Sequence, residues 1–359
     1  MSIHPARIAK LRRRLADEHL EYLLTTAANQ LQYLVGYTGS NGLLLLGRHS
    51  AEFFTDGRYR EQAKKEVRGA KVDIVPGDLV AHLPNLPLFK NGRPRIGIES
   101  ALLTEKNGKR LRELLPRALF VPLEDFVSTL MQVKDKSEVA SIRRAARIAE
   151  DALADTLPLI RPGVRERDLA AELEYRMTRA GSERPAFETI VASGYRSALP
   201  HGRASEKKVQ KGDFITFDFG ATVGGYVSDV TRTVVLGKAT ARQRKVYNLV
   251  LKAHDTAIAK ARPGLKCADL DRIARVVIER GGYGKRFDHG LGHGIGLVIH
   301  EAPALNARSQ TVLQTGMVVT IEPGIYIPGW GGVRIEDDIL IRPGKAQVIT
   351  TSTRQLIEL

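Results

Sequence analysis

Four acidic residues and one histidine stand where folding could gather them: Asp218, Asp229, His293, Glu322 and Glu336. The first two lie in a pattern readable by itself. Residues 213–219 and 226–235 are rich in β-branched and aromatic side chains and flank Gly224-Gly225, a β-hairpin signal. Folded about Val223 and Gly224, facing residue numbers sum to 447. Asp218 then opposes Asp229 on one face, with side chains within ~5 Å. Two carboxylates so placed repel, and a cation between them or a shared proton would relieve them. A surface hairpin whose aspartates point into water is the alternative.

A second hairpin has the same plan, with runs at 317–327 and 333–341 about a Pro328–Gly332 turn. Asp218 maps near Glu322 at an offset of 104, and Asp229 near Glu336 at 107. Between the hairpins lies Asp288-His289-Gly290-Leu291-Gly292-His293-Gly294-Ile295-Gly296, whose glycines permit close backbone approach. His293 would add an imidazole to four carboxylates. That donor set suits two divalent cations such as manganese, cobalt or zinc, and suits calcium poorly. Two such cations ~3.5–4 Å apart lower the pKa of a shared water and polarise a carbonyl, which is hydrolytic chemistry.

His201 and His300 are 99 residues apart at equivalent places of the repeat and could donate hydrogen bonds to a developing oxyanion. Arg334 shares a strand face with Glu336 and could hold the carboxylates or bind an anionic end of a substrate. His289 is a further candidate for the lining of the same site and is left unassigned. His4, His19, His49, His82 and His254 read as structural or surface residues.

The elements that must position these groups repeat as well. Arg161-Pro162-Gly163 and Arg262-Pro263-Gly264, offset by 101, each precede an Asp-Leu pair and a helix closing at Gly181 or Gly282. Duplicated halves facing across a pseudo-twofold axis would bring all four carboxylates together. Ser137 reads as the N-cap of a long helix with Val139, Ile142, Ala146 and Ala149 on one face. Upstream, strand signals at 21–26, 42–47, 52–55, 71–75, 95–98 and 119–121 alternate with helix signals at 3–19, 58–68 and 104–115, the last capped by Thr104. This first part is α/β in character and carries no chemical cluster. The boundary falls within 127–134, giving domains 1–127 and 128–359.

A chain of 359 residues suits two domains. Cys267 is the only cysteine, which excludes an intrachain disulfide and a multi-thiolate site and fits a cytoplasmic location. No apolar stretch approaches the ~20 residues of a membrane span, and the N-terminus lacks a signal-peptide core. The formal charge of +15 is spread along the chain without aromatic interleaving, so no nucleic-acid partner is expected.

The pattern resembles the creatinase/aminopeptidase P family, with its pita-bread catalytic fold. The matching stretches are Phe217-Asp218-Phe219-Gly220, Ser228-Asp229-Val230-Thr231-Arg232-Thr233, Gly292-His293-Gly294-Ile295-Gly296, Ile321-Glu322-Pro323-Gly324 and Arg334-Ile335-Glu336-Asp337-Asp338. In the first domain, Tyr33–Ser40 and Phe54–Tyr59 are similar to the non-catalytic N-terminal domain of the proline-specific members. The resemblance implies an α/β N-terminal domain followed by an α+β pita-bread domain with an internal pseudo-twofold repeat. It implies cleavage between an N-terminal residue and proline, on peptides or Xaa-Pro dipeptides, by a homodimer. Asp218, Asp229, His293, Glu322 and Glu336 would hold two metals, manganese first, with cobalt or zinc as alternatives. A bridging hydroxide would attack the carbonyl, with Glu322 as proton shuttle. His201 and His300 would steady substrate and intermediate, and Arg334 would lie near the ligands. Methionine aminopeptidases share this ligand set but typically lack the first domain, creatinase lacks the ligands, and a non-catalytic binding module would be expected to lose some.

Overall fold

Six short, β-branched or leucine-rich runs in the first 131 residues pair into one mixed sheet. The computed structural model describes residues 4–359 and divides between Met131 and Gln132 into two compact units. The sheet of the first unit runs Lys71–Ile74, Ala51–Thr55, Leu43–Gly47, Tyr22–Thr25, Arg95–Glu99, Leu119–Leu123. Tyr22–Thr25 is antiparallel to Leu43–Gly47 and parallel to Arg95–Glu99. All six expected strands form. Leu24, Leu43, Leu45, Phe54, Ile96 and Ile98 build one core with Leu111 of the helix Glu105–Leu114. Thr104 caps that helix by accepting from the Asn107 N–H at 3.3 Å. The expected helix at 3–19 spans His4–Asp17, and its first position, residue 3, lies outside the described residues. The stretch at 58–68 opens as a 3₁₀ turn and becomes α-helical over Arg60–Glu66.

The second unit is built twice. The long helices Lys136–Thr156 and Ala241–Lys260 are each followed by a 14-residue helix, Glu166–Arg179 and Cys267–Arg280, at the offset of 101 expected from the sequence. The long helix begins two residues earlier than Ser137 implies. Asp135 is its N-cap, in a capping box with Glu138, because a carboxylate there can serve both the Ser137 and Glu138 N–H groups.

Each helix pair covers a sheet. One has the order Val230–Val235, Phe214–Phe219, Ile190–Ser193. The other runs Glu301–Leu305, Gly292–Gly294, Val318–Ile321, Asp337–Leu340, Gln347–Val348. Ala149, Leu153, Leu169, Leu173, Phe217 and Phe219 form the core of the first half. Val250, Leu270, Ile278, Val319 and Ile339 belong to that of the second. Backbone and threonine hydrogen bonds join the halves, Glu336 N–H to Thr231 O at 3.1 Å and Arg334 N–H to Thr233 Oγ1 at 3.2 Å. Among the described residues no helix is long and apolar enough to cross a membrane.

Candidate metal centre

The first hairpin turns at Gly224-Gly225, with φ of 58° and 76°, and its strands pair Tyr226 with Val223 and Thr231 with Asp218. This register differs by two residues from the expected one. Folding about Val223 and Gly224 would demand positive φ at a β-branched residue, which a Gly-Gly pair avoids. Asp218 therefore opposes Thr231, and Asp229 is its diagonal neighbour. A shift of two leaves every side chain on its original face, so the two aspartates still converge. The second hairpin pairs Val318–Ile321 with Asp337–Leu340 and Gly324–Ile327 with Gly331–Arg334. The ladder breaks between these segments, and Glu322 and Glu336 stand at the facing breaks, aimed away from pairing and toward the first hairpin.

His293 enters from the strand Gly292–Gly294. A Cβ at Gly292 would lie 2.1 Å from Thr320 O, so only glycine lets this strand approach its neighbour. The Thr320 hydroxyl accepts from the His293 N–H at 3.0 Å and lies 3.3 Å from Glu322 Oε1, to which it donates. All five candidate ligands line one cavity of about 470 Å³, as do His201, His300 and Arg334. Ligand atoms of Asp229, His293 and Glu336 lie within 4.8 Å of one another.

The electrostatics of this cluster ask for cations. Burial, with Glu336 and Asp218 adding repulsion, holds Asp229 well above the usual carboxylate range. Burial and Glu336 do the same to Glu322. Burial and Asp218 push Glu336 up to about 8. His293 is pulled down to about 4 by burial and by His300, so its ring is neutral at pH 7. Its Nδ1 lies 3.2 Å from Gly294 O, which can only accept, so the proton sits on Nδ1. Its bare Nε2 lies 3.4 Å from Glu322 Oε1 and 3.6 Å from Asp229 Oδ2. Acceptor atoms thus converge, an arrangement that a shared proton or a cation relieves. Asp218 Oδ1, Asp229 Oδ1 and Glu336 Oε1 are buried with no hydrogen-bond partner among the described residues. Carboxylate oxygens and a neutral imidazole so arranged fit divalent cations of the manganese, cobalt and zinc type.

Arg334 is buried, and of the roles open to it the contacts favour holding a carboxylate. Its Nη2 donates to Asp218 Oδ2 at 2.6 Å, Nη1 to Pro200 O at 3.1 Å and to Tyr326 OH at 2.9 Å, and Nε to Thr231 Oγ1 at 3.0 Å. Thr231 in turn donates to Glu336 Oε2 at 2.6 Å. His201 and His300 are exposed to the cavity, and the His300 ring lies edge-on to His293 with centroids 4.5 Å apart.

Sequence reasoning missed several supports. Tyr326 donates to His289 Nε2 at 2.9 Å, because His289 Nδ1 faces Gly290 O at 2.8 Å and carries the ring proton. Asp338 Oδ2 accepts the Asp229 N–H at 3.1 Å. Lys134 and Glu301 form a buried pair at 2.9 Å, one residue from His300. Two of these had a sequence signal, Tyr326 four residues beyond Glu322 in the same hairpin and Asp338 at the end of the stretch that begins at Arg334.

Residues 140–343 match the model of metallopeptidase family M24, and residues 7–131 match the creatinase/prolidase N-terminal domain. A solved Xaa-Pro dipeptidase from Bacillus anthracis is 41% identical, with a TM-score of 0.95 and 99% of each chain covered. A solved X-Pro aminopeptidase from Thermotoga maritima is 36% identical, with a TM-score of 0.91, over 98% of this chain and 100% of the other. An Xaa-Pro dipeptidase from Pyrococcus horikoshii is 37% identical over 99% of this chain and 100% of its own. The two-domain architecture expected from the sequence, an α/β domain followed by a pita-bread domain, is that of these relatives, and the chain belongs to metallopeptidase family M24.

Proposed function

We propose that this metallopeptidase hydrolyses the bond between an N-terminal residue and proline, in Xaa-Pro dipeptides or longer peptides. The observation that carries the reading is the bare Nε2 of His293 converging with unpaired, buried carboxylate oxygens on one cavity wall. Asp218, Asp229, His293, Glu322 and Glu336 would hold two divalent cations, manganese first, with cobalt or zinc as alternatives. When bound, such a pair supplies an activated water and a Lewis acid for the scissile carbonyl.

The chain's own groups do the rest. Glu322 would take up at Oε the proton that the attacking water gives up and pass it to the departing proline nitrogen. His201 and His300 donate hydrogen bonds to the substrate carbonyl as charge develops on its oxygen. Arg334 and Thr231 keep Asp218 and Glu336 in place through hydrogen bonds that do not depend on the substrate. A tertiary Xaa-Pro amide has no N–H, so a site that grips the carbonyl loses no contact to it. The same reading takes residues 1–127 as a non-catalytic domain and the working particle as a cytoplasmic homodimer, a stoichiometry that sedimentation velocity measures.

The test is to strip the protein of metal and incubate it with Ala-Pro, Ala-Pro-Ala and a Met-Ala peptide, restoring manganese, cobalt or zinc separately. Metal-dependent release from a proline substrate with Met-Ala intact is the expected result. Methionine release with both proline substrates untouched would overturn the reading.

A further inference from the structure

The cavity offers more than ligands. Its charged lining includes two arginines, and Arg334 has its donors committed to Asp218, Tyr326, Pro200 and Thr231. The other, Arg203, is different. Its side chain is largely exposed, and its Nε lies 2.9 Å from Glu188 Oε2, also on the cavity lining. Among the described residues neither Nη of Arg203 is hydrogen-bonded, so the two-nitrogen edge that matches a carboxylate is open.

The base of this side chain is fixed. Arg196 Nη2 donates to Arg203 O at 2.6 Å, while Arg196 Nε donates to Glu166 Oε2 at 3.0 Å. Glu166 is fully buried and also accepts the Ser205 N–H at 3.1 Å and the Ser193 N–H at 2.7 Å. A buried carboxylate with that many donors locks residues 199–205, and His201 and Arg203 ride on the same short loop. An oxyanion donor and an open guanidinium are thereby set two residues apart at the mouth of the site. Phe187, Ile190 and Ile299 supply apolar wall in the same cavity, suited to a proline ring.

An Xaa-Pro dipeptide carries its free carboxylate on the proline itself, one residue beyond the scissile bond, whereas in a longer peptide that position is a neutral amide. We propose that Arg203 is the specificity-determining residue of this enzyme, binding the free carboxylate of a dipeptide substrate through its Nη edge while Glu188 holds its Nε. The inference rests on the proline-directed reading above and makes dipeptides the preferred substrates.

Manganese-loaded full-length protein is assayed on Ala-Pro, Ala-Pro amide and Ala-Pro-Ala, with wild type, Arg203→Ala and Arg203→Lys. Wild type favours Ala-Pro. Arg203→Ala lowers kcat/KM for Ala-Pro about 10- to 100-fold, carried by KM, the loss expected for a charged hydrogen-bonded pair. The preference for the acid over the amide shrinks by the same factor, and Arg203→Lys restores part of it by retaining the charge. Equal losses on acid and amide would make Arg203 a merely structural residue, and no loss on Ala-Pro would remove it from recognition. Either result overturns the inference while leaving the proline-directed activity in place. A wild type that cleaves none of the three substrates overturns that activity instead, and the inference with it.

Discussion

Arg334 touches four acceptors and only one of them is charged, yet its charge matters most for the cluster around it. Asp218 receives the guanidinium at 2.6 Å, and the remaining donors go to Tyr326, Pro200 O and Thr231. Replacing it by methionine leaves a buried carboxylate unpaired beside three others, a loss of about 3–5 kcal/mol for a buried pair broken on one side. Arg334→Met is therefore expected to lower the stability of metal-stripped protein by that amount in urea unfolding. Saturating manganese should recover part of the loss, because cations would take over the neutralisation of Asp218. A loss that manganese leaves unchanged would show that packing, not charge, is what Arg334 provides. The alternation of side chains along a strand was enough to put Arg334 on the face of the candidate ligands. Its partners were not legible, since Asp218 and Pro200 lie more than 100 residues away and no local pattern links them.

At the scale of elements, the repeat was the most legible feature. Two Pro-Gly signals at a fixed offset announced two helices that prove equal in length. The hairpin register was harder to read. A choice between Val223-Gly224 and Gly224-Gly225 as central pair decides it, and the positive φ at both glycines settles it. The error of two residues cost the facing pair and kept the face, which is why Asp218 and Asp229 still converge. The helix Ala28–Val35 was missed because its eight residues are too few for periodicity to stand out, and Ala27 gives it no side-chain cap. Gly292 tests the other strand of the site. An added Cβ meets the Thr320 carbonyl, which is backbone and can yield only if the strands part. Gly292→Ala should cost about 1–3 kcal/mol, typical of overpacking. It should also weaken manganese binding, because His293 and Thr320 would separate, and isothermal titration would register this. Unaltered affinity at reduced stability would detach strand spacing from ligand placement.

For the whole molecule, the catalytic domain folds by closing two carboxylate-bearing halves on each other, and that closure sets how its stability depends on pH. Unfolded aspartate and glutamate titrate near 4. In the folded, metal-free protein Asp229 and Glu322 are held above that range and Glu336 reaches about 8. The folded state thus binds more protons than the unfolded one over the interval between, so stability falls as pH rises through it. His289 and His293, each lowered to about 4 chiefly by burial, act in the opposite sense between about pH 4 and 6.5, where only the unfolded imidazoles are charged. Above pH 6.5 the carboxylates are joined by His254, which, against the opposing effect of burial, Asp255 and Asp337 hold above its ordinary value and which therefore acts in the same sense. Between pH 6.5 and 8 the Glu336 contribution amounts to about 2 kcal/mol, from 1.36 kcal/mol per pH unit. Metal-stripped protein should therefore lose stability across this window in urea titrations. Manganese should stabilise it more at pH 8 than at pH 6.5, because binding requires the protons to leave. Metal-free stability that rises with pH over the same interval would mean that the carboxylates are already ionised without metal and that another group neutralises them.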